Sequence, residues 1–396
     1  MLTSFALIIL LGLALGTAAK LCRLPPLVGM ICAGLLLGTL GLLDESVLSV
    51  SGDLRRIALV IILTRAGLTL RLDDLKAVGR PALLMCFVPA SLEILGIVLL
   101  APRILGVTTA EAALIGAVLA AVSPAVVVPR MIRLIGLHFG AKHRVPQLVL
   151  AGASVDDIYV IVLFYAFLTV VSGGSLSAST FLVIPVSIVL GALAGVLAGL
   201  LLCRFLCTVQ LHEIAALLVV LSVSFLLLQL ETALDGMLSG LLAIMTMGIT
   251  LRARAPETAD RLAVQYQSLW YVGEIILFVL VGAAVDLRYA LAAGAAAIVL
   301  VLGGLIFRMA GVGAATLGTR LTAKERLFCA IAYTPKATVQ AAIGGVPLAA
   351  GLACGQTVLT VAVLAILITA PLGALGIDLT HRRLLTQEPE KNNPAA

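Results

Sequence analysis

Charge is what this sequence has least of. Only 12% of its 396 residues are Asp, Glu, Lys or Arg, where a soluble domain carries roughly 25%. A water-facing surface cannot be assembled from that supply. No CxxC pair occurs among the seven cysteines (Cys22, Cys32, Cys86, Cys203, Cys207, Cys329 and Cys354), and their number is odd. That argues against a disulfide frame or a cysteine metal site and leaves them as small apolar residues. Also missing are HExxH and GxGD, which removes the usual signatures of membrane-embedded metalloproteases and aspartyl proteases. No long polar linker divides the chain. No basic segment precedes the apolar residues 2–19, and Lys20 follows them, so this stretch reads as a retained helix and not as a cleaved signal.

What is abundant is apolar sequence: 62% of residues are hydrophobic and the mean hydropathy is +1.19. The apolar residues come in blocks close to the ~20 needed to cross a bilayer core. The pattern predicts an all-α polytopic membrane protein with about 13 helices, at 2–19, 26–43, 54–70, 80–101, 110–134, 147–171, 180–203, 211–230, 235–251, 266–285, 290–318, 323–347 and 355–377. The tail after Thr380 reads as disordered. Of the 26 Lys and Arg residues, 19 lie in or beside the loops after odd-numbered helices and in the tail, and four in or beside the even loops. By the positive-inside rule the N-terminus is outside and the C-terminus cytoplasmic. The net charge of +6 then reports topology, not nucleic-acid binding.

Split as helices 1–6, a linker helix, and helices 8–13, the chain has the plan of an inverted repeat. The fifth helix is interrupted by Pro124 and Pro129 in SPAVVVP. Its counterpart, the twelfth, is interrupted by Pro335 and by Gly344-Gly345-Val346-Pro347. Proline removes a backbone donor and disfavours helix before it. In a membrane, freed backbone groups persist only inside protein or beside a watery cavity. Paired breaks therefore predict two crossing half-helix pairs, with Ser123, Pro124, Pro129, Thr334, Pro335 and Thr338 at the crossing.

The few intramembrane charges are the candidate functional residues, because each costs roughly 2.5–3.5 kcal/mol even on insertion scales. Asp156 and Asp157 lie within GASVDDIYVIVLF. Adjacent helical positions differ by about 100°, so one carboxylate is expected to face the ion and the other a cationic partner. Glu93 and Arg308, both in apolar surroundings, are expected to pair with each other. Lys336, next to the second break, is assigned as counter-charge to Asp156. Three buried acids against two bases leave the site one positive charge short, a deficit that a monovalent cation or a proton can fill. Blander readings apply to Arg65 (snorkelling to the cytoplasmic face near Arg71), Glu274 (embedded, with no evident basic partner), Asp235 and Asp286 (solvated at outer helix ends), and His138 and His143 (a solvated loop).

On RLPPLVGMICAGLLLG at 23–38, RAGLTL at 65–70, SPAVVVP at 123–129, VDD at 155–157 and PKATVQAAIG at 335–344, the chain resembles the monovalent cation:proton antiporter superfamily, in its NHA (solute-carrier 9B type) sodium/proton antiporter branch. The resemblance implies exchange of Na+ or Li+ for H+ by alternating access, without a cofactor, in a homodimer embedded in membrane lipid. It implies scaffold and dimer helices at about 1–79 and 211–288, a mobile core at about 80–171 and 290–377, a linker helix at about 180–203, and a short cytoplasmic tail over 380–396. It places cation and proton binding at Asp157 with Asp156 beside it, and Glu93, Arg308 and Lys336 as supporting charges. Many electrogenic bacterial relatives carry lysine where Arg308 stands, which weighs against two-proton exchange. The long N-terminal segment of animal relatives is missing, so a compact protein of a prokaryotic inner (plasma) membrane is expected. The competing readings are a K+/H+ antiporter or cation channel of the same superfamily and, from another class, a membrane-embedded aspartyl enzyme.

Overall fold

A computed structural model describes residues 1–70, 79–173, 178–209, 211–234 and 237–388. The described residues are helical almost throughout. The order is α1 (Leu2–Leu21), α2 (Pro26–Thr39), α3 (Glu45–Ser49), α4 (Ser51–Thr69), α5 (Arg80–Met85), α6 (Val88–Leu105), α7 (Thr109–Ala120), α8 (Pro124–Gly136) and α9 (Val145–Val171). The order continues with α10 (Ala178–Thr208), α11 (Glu213–Ala233), α12 (Gly240–Arg254), α13 (Pro256–Ala283), α14 (Leu287–Ala315), α15 (Ala323–Ala332), α16 (Thr338–Ile343), α17 (Val346–Ala349) and α18 (Gly355–Leu384). Eight stretches of these are long and apolar enough to cross a bilayer, and shorter apolar helices such as Pro26–Thr39 accompany them. Helix is forced by the apolar solvent: every backbone donor and acceptor must be satisfied within its own segment.

The helices associate in two groups. In one, α2 packs on α1 and α13, α4 on α12 and α13, and α10 on α12. In the other, α6 packs on α7 and α14, α9 on α7 and α8, and α18 on α14 and α15. The short α16 touches both groups, meeting α4 and α13. Within the first group, packing is close enough to exclude side chains: a Cβ on Gly67 of α4 would lie 2.3 Å from the Met245 carbonyl oxygen of α12. Small residues at such crossings let backbones approach where lipid supplies no hydrophobic drive.

Several sequence expectations need correction. The helix expected over 266–285 begins ten residues earlier, at Pro256. Its first turns carry Glu257, Asp260 and Arg261, which hide the apolar signal, yet Ala259, Leu262 and Tyr266 are buried on one face. The helix expected over 80–101 is interrupted at Cys86 and Phe87, just before Pro89, and resumes to Leu105. Nor is the whole tail after Thr380 disordered. The last helix runs to Leu384, and the next residues dock by backbone bonds (Gly140 N–H to the Thr386 carbonyl, Glu388 N–H to the His138 carbonyl). Residues 389–396, Asp235 and Arg71 lie outside the described residues. Asp286 accepts the Arg288 and Tyr289 N–H groups and so caps α14.

Candidate ion-binding site

Two interrupted helices build the centre. The first is α7, an extended link over 121–123, and α8. The second is α15, a link over 333–337, and α16. Their leading halves, of 12 and 10 residues, span about 18 and 15 Å at 1.5 Å per residue, so each stops inside a ~30 Å hydrocarbon layer. Both begin with the same capping box, Thr108 with Glu111 and Thr322 with Glu325. This T-x-x-E signal was visible at both positions in the sequence and ties each half-helix to its rim. The links touch where they cross: the Ser123 N–H donates to the Pro335 carbonyl at 2.8 Å.

Half-helices that end in mid-membrane leave carbonyls without partners. Arg308 of α14 answers both ends. Its guanidinium donates to the carbonyl of Ala120, the last residue of α7, and through Nε to the carbonyl of Tyr333, which caps α15, at 2.7 Å. The remaining donors go to Glu93 Oε2 at 2.9 Å and Asp156 Oδ2 at 2.9 Å. A positive charge thus sits at the negative ends of two helix dipoles and between two carboxylates. Arg308 is fully buried. A fork of five donors is the side chain that can serve four acceptors at once.

Glu93 and Arg308 therefore meet as a pair, with Asp156 as a third member. Lys336 does not serve as the hydrogen-bonded counter-charge to Asp156. Its ammonium bonds Glu93 Oε2 at 2.6 Å, while its backbone N–H donates to Thr369 Oγ1 at 2.8 Å. Asp156 Oδ2 instead accepts from Arg308 and from the Val122 N–H of the first link, each at 2.9 Å. Sequence reading also missed Gln340, whose amide donates to the carbonyls of Ala121 (2.9 Å) and Leu119 (3.3 Å) and bridges α16 to the first link. Only its position within PKATVQAAIG, one turn after the break, could have hinted at this.

Asp157 is differently placed. It is 7% exposed, and its Oδ1 has no hydrogen-bond partner among the described residues. It lines a cavity of about 200 Å³ between α4, α8, α13 and α16, with Pro124, Pro129 and Thr338. The Ser123 and Thr338 hydroxyls and the second oxygen of Asp156 are likewise buried without partners among the described residues. Thr334 lies apart, donating its hydroxyl to the Ile331 carbonyl at 2.8 Å. Arg65 and Glu274 line the same cavity and interact electrostatically. Arg65 is thus a wall residue of this cavity, and Glu274 has a basic neighbour after all. The two come from helices far apart in the chain, α4 and α13. His143 is not simply solvated either: its Nδ1 lies 2.9 Å from Glu325 Oε1.

The charges now separate. Glu93 and Asp156 with Arg308 and Lys336 form one bonded network of two acids and two bases, and Asp157 stands outside it at the wall of a cavity. An all-α membrane fold with bent and interrupted helices around a lone buried carboxylate defines a membrane carrier for small cations and protons.

The chain belongs to the sodium/hydrogen exchanger family: the model for the transmembrane sodium/hydrogen exchangers matches residues 6–380. Its relatives include sodium/hydrogen exchanger 9B2 of Homo sapiens, 32% identical over 383 residues that cover 93% of this chain and 71% of that protein. Sodium/hydrogen exchanger 9B1 of Mus musculus is 33% identical, covering 92% and 66%. Among solved structures, the sodium proton antiporter MjNhaP1 from Methanocaldococcus jannaschii superposes with a TM-score of 0.80 over 95% of each chain at 21% identity. That likeness concerns the fold. The family is one of secondary active cation/proton antiporters and not of enzymes.

Proposed function

We propose that the chain exchanges Na+, or Li+, for H+, and that Asp157 is the group for which the two compete. One observation carries this reading: Asp157 is the acid left over when the buried charges are paired, and it lines a cavity. A carboxylate in that position needs a cation or a proton to be neutral, and burial makes an uncompensated charge costly. The free oxygen of Asp156 and the hydroxyls of Ser123 and Thr338 supply the hard oxygen ligands that a small alkali cation takes. Since the other four charges cancel, one Na+ replaces one H+ at the same carboxylate, and the cycle moves no net charge.

Thirteen spans in an inverted repeat, N-terminus outside and C-terminus cytoplasmic, fit the paired capping boxes and the lysine and arginine bias of the loops. The α1–α4 and α11–α13 group acts as scaffold, α10 is the linker, and the group around α6–α9 and α14–α18 moves against the scaffold. The chain pairs as a homodimer through scaffold helices in a plasma membrane. In this orientation the cavity lies on the cytoplasmic side, because its walls include the C-terminal half of α4, from Leu59 to Thr69, and the start of α8. The structure is then the inward-facing state.

The test is proton flux in proteoliposomes on addition of Na+ or Li+. Native protein is expected to respond and Asp157→Asn to be silent while retaining its fold. An Asp157→Asn variant that still exchanges at the native rate would overturn the assignment. Repeating the measurement under an imposed voltage checks the one-for-one count: the flux equilibrium should not move.

A further inference from the structure

The turn before α9 and the loop before α15 enclose a second hollow, of about 230 Å³, lined by Pro81, Lys142, His143, Arg144, Thr319 and Arg320. Segments nearly half the chain apart thus bring three full cations and an imidazole to one concavity. Among the described residues none of Lys142, Arg144 and Arg320 makes an ion pair or a side-chain hydrogen bond. The neighbouring carboxylate is already committed: Glu325 bonds His143 Nδ1 and accepts the Thr322 N–H and hydroxyl as the cap of α15. The loop itself is held, since Arg326 Nη2 donates to the Thr319 carbonyl at 3.3 Å. The turn places Arg144 at φ +51°, a left-handed conformation that an arginine seldom adopts. The positive-inside bias accounts for the sign of these residues. It does not account for their meeting in one hollow with no acid free to balance them.

We propose that this hollow binds a phosphate-bearing anion, taken from an anionic lipid headgroup of the adjoining leaflet or from a soluble phosphate compound. Guanidinium forks match phosphate oxygens and a lysine adds a point charge. A liquid water occupies roughly 30 Å³, so the hollow has room for a group well beyond a single solvent molecule. The site sits at the foot of α9, the helix that carries Asp157, and against the loop that launches α15. An anion there bridges two helices of the ion-binding group at their shared rim. The inference is independent of which cation is transported, because its readout is binding.

The test uses the full chain in a neutral detergent. One arm titrates inorganic phosphate and inositol hexakisphosphate at constant ionic strength and follows the thermal midpoint. The other adds mixed micelles of phosphatidylcholine with phosphatidylglycerol or phosphatidylinositol 4-phosphate and measures retained lipid by native mass spectrometry. The site variant is Lys142→Gln/Arg144→Asn/Arg320→Gln, with asparagine chosen because it tolerates the left-handed turn. The control, Arg133→Gln/Arg382→Gln/Arg383→Gln, removes equal charge from the same rim outside the hollow. Native protein and control are expected to bind, and the site variant to weaken about a hundredfold, each cation contributing roughly fivefold. The responding arm names the source of the phosphate. Should the site variant not fold, Arg320→Gln alone is expected to weaken binding about fivefold. The proposal is overturned if native protein binds in neither arm, or if the control loses as much as the site variant or as Arg320→Gln.

Discussion

At the scale of single residues, the site rests on a division of labour between two neighbouring acids. One oxygen of Asp156 is spent on structure, accepting the Val122 N–H and Arg308; Asp157 is bound by neither. Arg308 makes this possible by serving four acceptors. Lysine has one ammonium and cannot span Glu93, Asp156 and two half-helix carbonyls. Arg308→Lys is therefore expected to lower stability by about 2–3 kcal/mol, the worth of one lost charge-assisted hydrogen bond, read as a fall in the thermal midpoint in detergent. Glu93 is shared by Arg308 and Lys336, so Glu93→Gln and Lys336→Gln should not be additive. A double-mutant cycle on unfolding is expected to give a coupling of about 0.5–3 kcal/mol. Additive effects would mean the 2.6 Å contact contributes nothing.

At the scale of elements, close-packed glycines differ in what obstructs a side chain. A Cβ on Gly345, at the start of α17, would lie 2.1 Å from Nη1 of the buried Arg55 of α4. Gly345→Ala is expected to cost about 1 kcal/mol or less, because the obstructing atoms are the movable end of the Arg55 side chain, and less still in an Arg55→Ala background. At Gly67 the obstacle is the Met245 carbonyl, which is backbone. Gly67→Ala must push α4 and α12 apart, and no single partner substitution should rescue it. Thermal midpoints of the three single variants and the Gly345→Ala/Arg55→Ala double variant decide both points. The breaks in the transmembrane helices were legible from Pro124 and Pro335 because proline acts on its own backbone, whereas the interruption expected at Pro129 does not occur and α8 runs through it. The break at Cys86 and Phe87 was not read, although Pro89 marks it, because the apolar run continues across it.

At the scale of the molecule, the cavity beside Asp157 has walls from both helix groups, so the proposed motion of one group against the other would open or close it. In the inward-facing reading, a cysteine at Ala125, a lining residue, in a cysteine-free background is expected to react with a membrane-impermeant thiol reagent from the cytoplasmic side. Protection on that side together with labelling from outside would reverse the orientation.

The sequence alone determined that the protein lies in a membrane, where the two paired interruptions begin, and that Glu93, Asp156, Asp157, Arg308 and Lys336 are buried, because all three follow from transfer costs that each residue bears locally. It also singled out Asp156 and Asp157, since two adjacent acids in an apolar helix demand a reason. Which acid is free was decided only by tertiary structure. The fork of Arg308, from a helix some 150 positions away, reaches Asp156 and not Asp157, and Lys336 finds Glu93 instead of the aspartate. Arg65 beside Glu274 and His143 beside Glu325 belong to the same class of fact. Pairing depends on distances between helices far apart in the chain, and no local pattern of residue types encodes them.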